Sequence, residues 1–236
     1  MKRANQDPAG GVLSFVGGRR FVTLGLWLGA FLLVAGCGGD NGNGPTPPTQ
    51  TAEELTESGW EKFEQGNLTG ARDDFDAAID QEAAYGPAYV GQGWSRTGLA
   101  ASPSAHRAAV ASFDGAIERN ETGAEVRAGR AAAHLGADGQ NLSSAIADAQ
   151  AARQAAPQFI FEHRESFTVE DLHLIEAFAL AGQGNWTGAL AAADEAVDSG
   201  IEQGDSGTWV VDGTTYTTFE SAVLAFLQKV SVDLAG

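Results

Sequence analysis

Cysteine is nearly absent: Cys37 is the one thiol in 236 residues. A single thiol excludes an intrachain disulfide framework and any zinc site built on cysteines. Basic charge is scarce as well. Fourteen Lys and Arg stand against 31 Asp and Glu, a formal charge of −17. That balance argues against nucleic acid, because phosphate contacts need clustered cations. No phosphate loop or dinucleotide glycine fingerprint occurs, so no cofactor and no enzyme activity are expected. What is plentiful is small. Alanine (42) and glycine (31) supply nearly a third of the chain, which suits closely packed helices. A β-sandwich would want alternating Val, Ile and Thr instead.

Lys2, Arg3, Arg19 and Arg20 precede an apolar run from Phe21 to Ala35. At ~1.5 Å per residue this run spans about 22 Å, short of the ~30 Å hydrocarbon core. It reads as a secretory signal occupying residues 1–36. The ending Leu33-Val34-Ala35-Gly36-Cys37 resembles the lipobox of bacterial lipoproteins. The resemblance implies cleavage after Gly36 and a diacylglycerol, with palmitate-type acylation, on the Cys37 thiol. Residues 37–51 are rich in Gly, Pro, Asn and Thr, which bury nothing, and form a flexible tether. Asp does not follow Cys37, and by resemblance to the proteobacterial sorting rule this favours the outer membrane. Residues 1–36 hold four basic residues and Asp7, a net +3, so the remaining 200 residues carry −20. Such a surface stays hydrated, whether in a salt-adapted protein or a plain acidic envelope protein.

Beyond the tether the chain repeats. Gln65-Gly66-Asn67-Leu68-Thr69-Gly70-Ala71 recurs as Gln183-Gly184-Asn185-Trp186-Thr187-Gly188-Ala189, and Gly139–Ala145 is a looser copy. Gly59-Trp60 recurs 34 residues on as Gly93-Trp94. Ala71, Phe75 and Ala78 match Ala109, Phe113 and Ala116, with alanines at the same places in two later units. Small residues at helical spacing, with a glycine turn between segments, predict αα-hairpins. The 34-residue shift and the order Leu55, Gly59, Gly66, Ala71, Phe75, Ala78 resemble the tetratricopeptide repeat (TPR). The resemblance implies an all-α, α-α superhelix of about four helix pairs over residues 52–200. Helices are predicted at 52–65, 69–83, 87–99, 104–119, 122–136, 141–155, 168–183 and 186–199. A longer stretch, Pro157 to Phe167, separates the third and fourth units. Residues 201–236 differ in kind. Trp209 to Tyr216 predicts a β-hairpin turning at Asp212-Gly213, with Trp209 opposite Tyr216. Thr217 to Glu220 offers a capping box for a last helix. This segment is expected to cap the array, with a docking edge strand as the alternative.

Candidate chemistry is thin. Gly204-Asp205-Ser206-Gly207 looks like the tetrapeptide around a serine-protease nucleophile but lacks that fold's context. His163, Glu165, Glu170, Asp171, His173 and Glu176 group metal-type ligands without a completed spacing, and are expected to be a solvated face plus loop rather than a metal site. Asn67-Leu68-Thr69 and Asn185-Trp186-Thr187 read as turn residues entering a helix.

The resemblance implies that the first helix of each unit lines a concave groove binding protein or peptide segments. Trp60 and Trp94 follow the unit glycines on that face, either lining the groove or packing between units; Arg130 and Phe178 hold the matching places later, with Phe63 a turn beyond Trp60. Arg127 matches one place of the charged clamp used by chaperone-binding members. The others hold Thr56, Trp60, Gly91 and Gly123, so an acidic tail is not the expected ligand. The expected function is a lipid-anchored envelope scaffold for a protein or peptide. Two alternatives are a lipoprotein stacking a glycan or solute on Trp60 and Trp94, and a hydrolase or metal enzyme built on His163 and His173.

Overall fold

The computed structural model describes residues 50–137 and 139–234. The expected signal, Cys37 and the tether up to residue 49 lie outside the described residues. Four helical hairpins follow one another: α1 (Ala52–Glu64) with α2 (Leu68–Gln81), α3 (Gly86–Leu99) with α4 (Pro103–Glu118), α5 (Ala124–Ala137) with α6 (Leu142–Ala155), and α7 (Val169–Gly182) with α8 (Trp186–Asp194). Each helix packs on the next in sequence, and α1, α3, α5 and α7 also pack successively on one another. The second helices make no comparable contact among themselves. An array whose first helices crowd together is curved, with those helices on the concave side.

The recurring heptapeptide is a turn and a cap in one. Gly66 and Gly184 have φ of +77° and +76°, the left-handed region that glycine enters without strain. Gly66 N–H donates to the Phe63 carbonyl and Asn67 N–H to that of Lys62; Gly184 and Asn185 repeat the pattern on Ala181 and Leu180. Each asparagine then starts the next helix, its Oδ1 accepting from Gly70 or Gly188 N–H at 3.1 Å. Orphan groups of both helix ends are thereby satisfied.

Phenylalanine and glycine interlock the layers. A Cβ on Gly59 would stand 2.7 Å from the Phe75 ring, and one on Gly91 2.2 Å. Phe113 meets Gly93 and Gly129 in the same way, at 2.7 and 2.3 Å. Ala71, Ala78, Ala109 and Ala116 are wholly buried around these wedges. The third hairpin has Ala149 where the first two have phenylalanine, and a charge pair is buried beside it. Arg130 donates from Nε and Nη2 to both oxygens of buried Asp148, at 2.7 and 2.8 Å.

Two expectations need correction. Helix α8 ends at Asp194 rather than 199. Asp194 Oδ1 accepts from Ser199 N–H at 3.0 Å, and Gly200 turns the chain at φ +57°. The last helix, α9 (Phe219–Leu234), is capped by Thr218, whose Oγ1 accepts from Ser221 N–H; the capping box anticipated between Thr217 and Glu220 is not the one used. Between α8 and α9 lie β1 (Glu202–Gln203), β2 (Trp209–Val211) and β3 (Thr214–Tyr216) in one antiparallel sheet, order β1-β2-β3. Trp209 pairs with Tyr216 as expected. The turn has both Asp212 and Gly213 at positive φ, which an Asp-Gly pair tolerates. Strand β1 had no sequence signal. Val211, Val223, Phe226 and Leu227 bury a second apolar cluster against Leu174, Ala177, Ala189 and Ala193, so the C-terminal segment covers the end of the array.

Candidate functional site

The aromatic residues of the first two hairpins converge. Trp60, on α1, meets Phe63 and Phe75 edge to face, with centroids 5.5 and 5.0 Å apart. Trp94, on α3, meets Phe113 at 6.0 Å and 90°. Neither indole looks out on an open groove. The stretch joining α6 to α7 folds back across the first helices and lies on both.

This strap, residues 157–167, is a closed loop. Ile160 bridges Thr168 at its neck. Within it Phe161 N–H donates to the Phe167 carbonyl at 2.9 Å, Arg164 to Phe161 at 3.0 Å, and Phe167 to Arg164 at 2.8 Å. Phe161 stacks on Trp94, centroids 4.0 Å apart and planes within 15°. His163 stacks on Trp60 at 3.8 Å and 5°. Phe167 meets the Trp94 ring edge at 5.3 Å, and Phe159 packs on Phe167. The Arg164 guanidinium lies 5.4 Å from the Phe167 centroid and 5.9 Å from that of Trp94, within cation–π range. Phe161 is wholly buried and Trp94 2% exposed, whereas Ile160 at the neck is 60% exposed.

Acid lines the strap's seat. His163 Nδ1 lies 2.9 Å from Glu64 Oε1 across 99 residues of sequence. Glu125, on α5, is within electrostatic reach of His163 and Glu162. Burial pushes its carboxyl above the usual range, only partly offset by His163.

The remaining expected groove residues are placed differently. Phe63 joins the aromatic cluster and is buried. The Arg130 guanidinium is committed to Asp148 and, through Nη1, to Asp114 at 2.8 Å; the Asp148 hydrogen bond raises its pKa. Phe178 packs into the C-terminal cluster, away from the two tryptophans. Arg127 is half-buried on α5 and makes no ion pair among the described residues. His163, expected in the loop beside a solvated face, is in the loop but stacked on Trp60 and half-buried. Glu176 accepts from Gln150 and pairs with Arg153, and among the described residues no three metal-type side chains converge. Phe159, Phe161 and Phe167 are the site residues that sequence reasoning missed. Three phenylalanines within nine residues of a linker were the available signal, since a solvated linker has no use for them. A glycan stacked on Trp60 and Trp94 would have to displace the His163 and Phe161 rings.

These features make the chain a TPR-like array of helical hairpins with a strapped concave face. No protein-family model and no curated protein matches it. Among solved structures it is similar to YrrB, described as a TPR protein with an unusual peptide-binding site: 16% identity, 63% of this chain, 70% of that one, TM-score 0.48. A tetratricopeptide repeat protein from Parabacteroides merdae shares 14% identity over 77% of this chain and 60% of its own, TM-score 0.47. TTC0263, a TPR protein of Thermus thermophilus, shares 14% over 78% and 86%, TM-score 0.49. Likeness at this level says nothing of what this chain binds.

Proposed function

We propose that this chain is a lipid-anchored interaction scaffold of the cell envelope, holding a protein or peptide segment on its concave face. One observation carries the reading: that face already holds a peptide segment, the chain's own strap, by stacking and charge. Buried aromatic anchors ringed by polar contacts are what segment-binding surfaces use. The lipobox-like Leu33–Cys37 supports the anchor on Cys37, and the −20 balance of residues 37–236 favours a basic or neutral partner over an acidic one. The role is binding, not catalysis. A photo-cross-linking residue at Glu64, beside the strap, is expected to give a discrete protein adduct in membranes. The same residue at exposed Asp80 on α2 is expected to give none. Equal adducts at both positions would overturn the reading.

A further inference from the structure

The strap displays the chemistry of the segment it holds the place of. Arg164 N–H closes a turn on the Phe161 carbonyl, and Phe161 and His163, two apart in that turn, land on Trp94 and Trp60, the two tryptophans separated by one repeat. Behind His163 stand Glu64 and Glu125, so the seat on Trp60 suits a cationic or imidazole ring and the seat on Trp94 an apolar one. Finally, the strap has no helix of its own and exposes Glu162, Arg164, Glu165 and Ser166, so the Phe159, Phe161 and Phe167 rings seated in the main core are what hold it down, and a displacing segment has to replace them.

We infer that the concave face binds a partner segment carrying an aromatic residue followed two positions later by His or Arg, and that this segment displaces the 157–167 strap. The inference rests on the scaffold reading above. Binding and strap release are one equilibrium, so a strap seated in about 99 of 100 molecules weakens the apparent affinity about 100-fold. The probe is a fluorescent peptide of residues 158–168, and the protein is the full chain carrying Cys37→Ser. His163→Ala removes the stack on Trp60 and the Glu64 contact, and should bind the probe about tenfold tighter than the parent. Arg164→Ala, at an exposed position, should move affinity in the same direction and guards against a folding loss in the first variant. A probe with Ala at the Phe161 and His163 positions should not bind. A chain with Glu64→Cys and His163→Cys, joined by a short bis-maleimide that adds each thiol across a C=C bond, should not bind either probe. Affinity unchanged in both loosened variants, or full binding by the cross-linked chain, would overturn displacement. If the Glu64 adduct described above persists in that case, the scaffold stands and only the aromatic-x-His/Arg chemistry falls.

Discussion

Phe75 shows how one residue ties two repeats together. Its ring fills the space between Gly59 of its own hairpin and Gly91 of the next, where a methyl group would stand inside van der Waals contact. Ala71, on the same helix, is wholly buried, while Ala151 on α6 is half-buried. Close-packed interiors resist added volume. Ala71→Leu is therefore expected to cost ~1–3 kcal/mol through overpacking, and Ala151→Leu less, as read by urea denaturation. Equal midpoints for Ala71→Leu and the parent would contradict the packing register. Much at this scale was legible because steric demand leaves a repeating mark: Gly, Ala and Phe recur wherever helices approach closely. Arg130 was not legible. Its place in the repeat marks a groove position, but Asp148, eighteen residues on, takes its guanidinium. Only the structure shows that a buried carboxylate stands within reach.

Helices, turns and caps were largely readable, since each depends on neighbours in sequence. The Gln-Gly-Asn-x-Thr-Gly-Ala unit encodes a left-handed glycine, a cap and a small N3 residue. Asn185→Ala is expected to lose about 1 kcal/mol from the fourth hairpin, and Asn67→Ala a similar amount from the first. Thermal denaturation measures both, and an unshifted melting temperature would remove the capping role. The β-hairpin was equally plain, because Asp-Gly between alternating apolar residues fixes turn and register together. Strand β1 and the strap were not plain. Two-residue Glu202–Gln203 has no pattern of its own and pairs only because β2 offers an edge. The strap is held by rings contributed from α1 and α3, up to 103 residues away, and local periodicity carries no trace of such contacts. Its phenylalanines showed that something apolar was to be covered, but not what.

At the scale of the molecule, the hairpin array buries one continuous core from α1 to α7, and the C-terminal sheet with α9 closes a second. Within the described residues the protein thus presents a closed end and a strapped face. On the proposed lipid anchoring, tethering to a membrane would depend on the Cys37 sulfur. Cys37→Ser is expected to leave the chain in the aqueous phase of a detergent partition, because a hydroxyl does not accept the diacylglyceryl group at that step. Retention of both forms in the detergent phase at equal mass would dismiss the lipid anchor. The strap itself is tested most directly by amide hydrogen exchange on the full chain, with and without the 158–168 peptide at saturation. Phe161, Arg164 and Phe167 donate their amides inside the strap, so all three are expected to lose protection when the peptide takes its place, while the amides of α3 keep theirs. Unchanged protection at those three amides, with the peptide bound, would contradict the claim that the concave face is a segment-binding site occupied by its own chain.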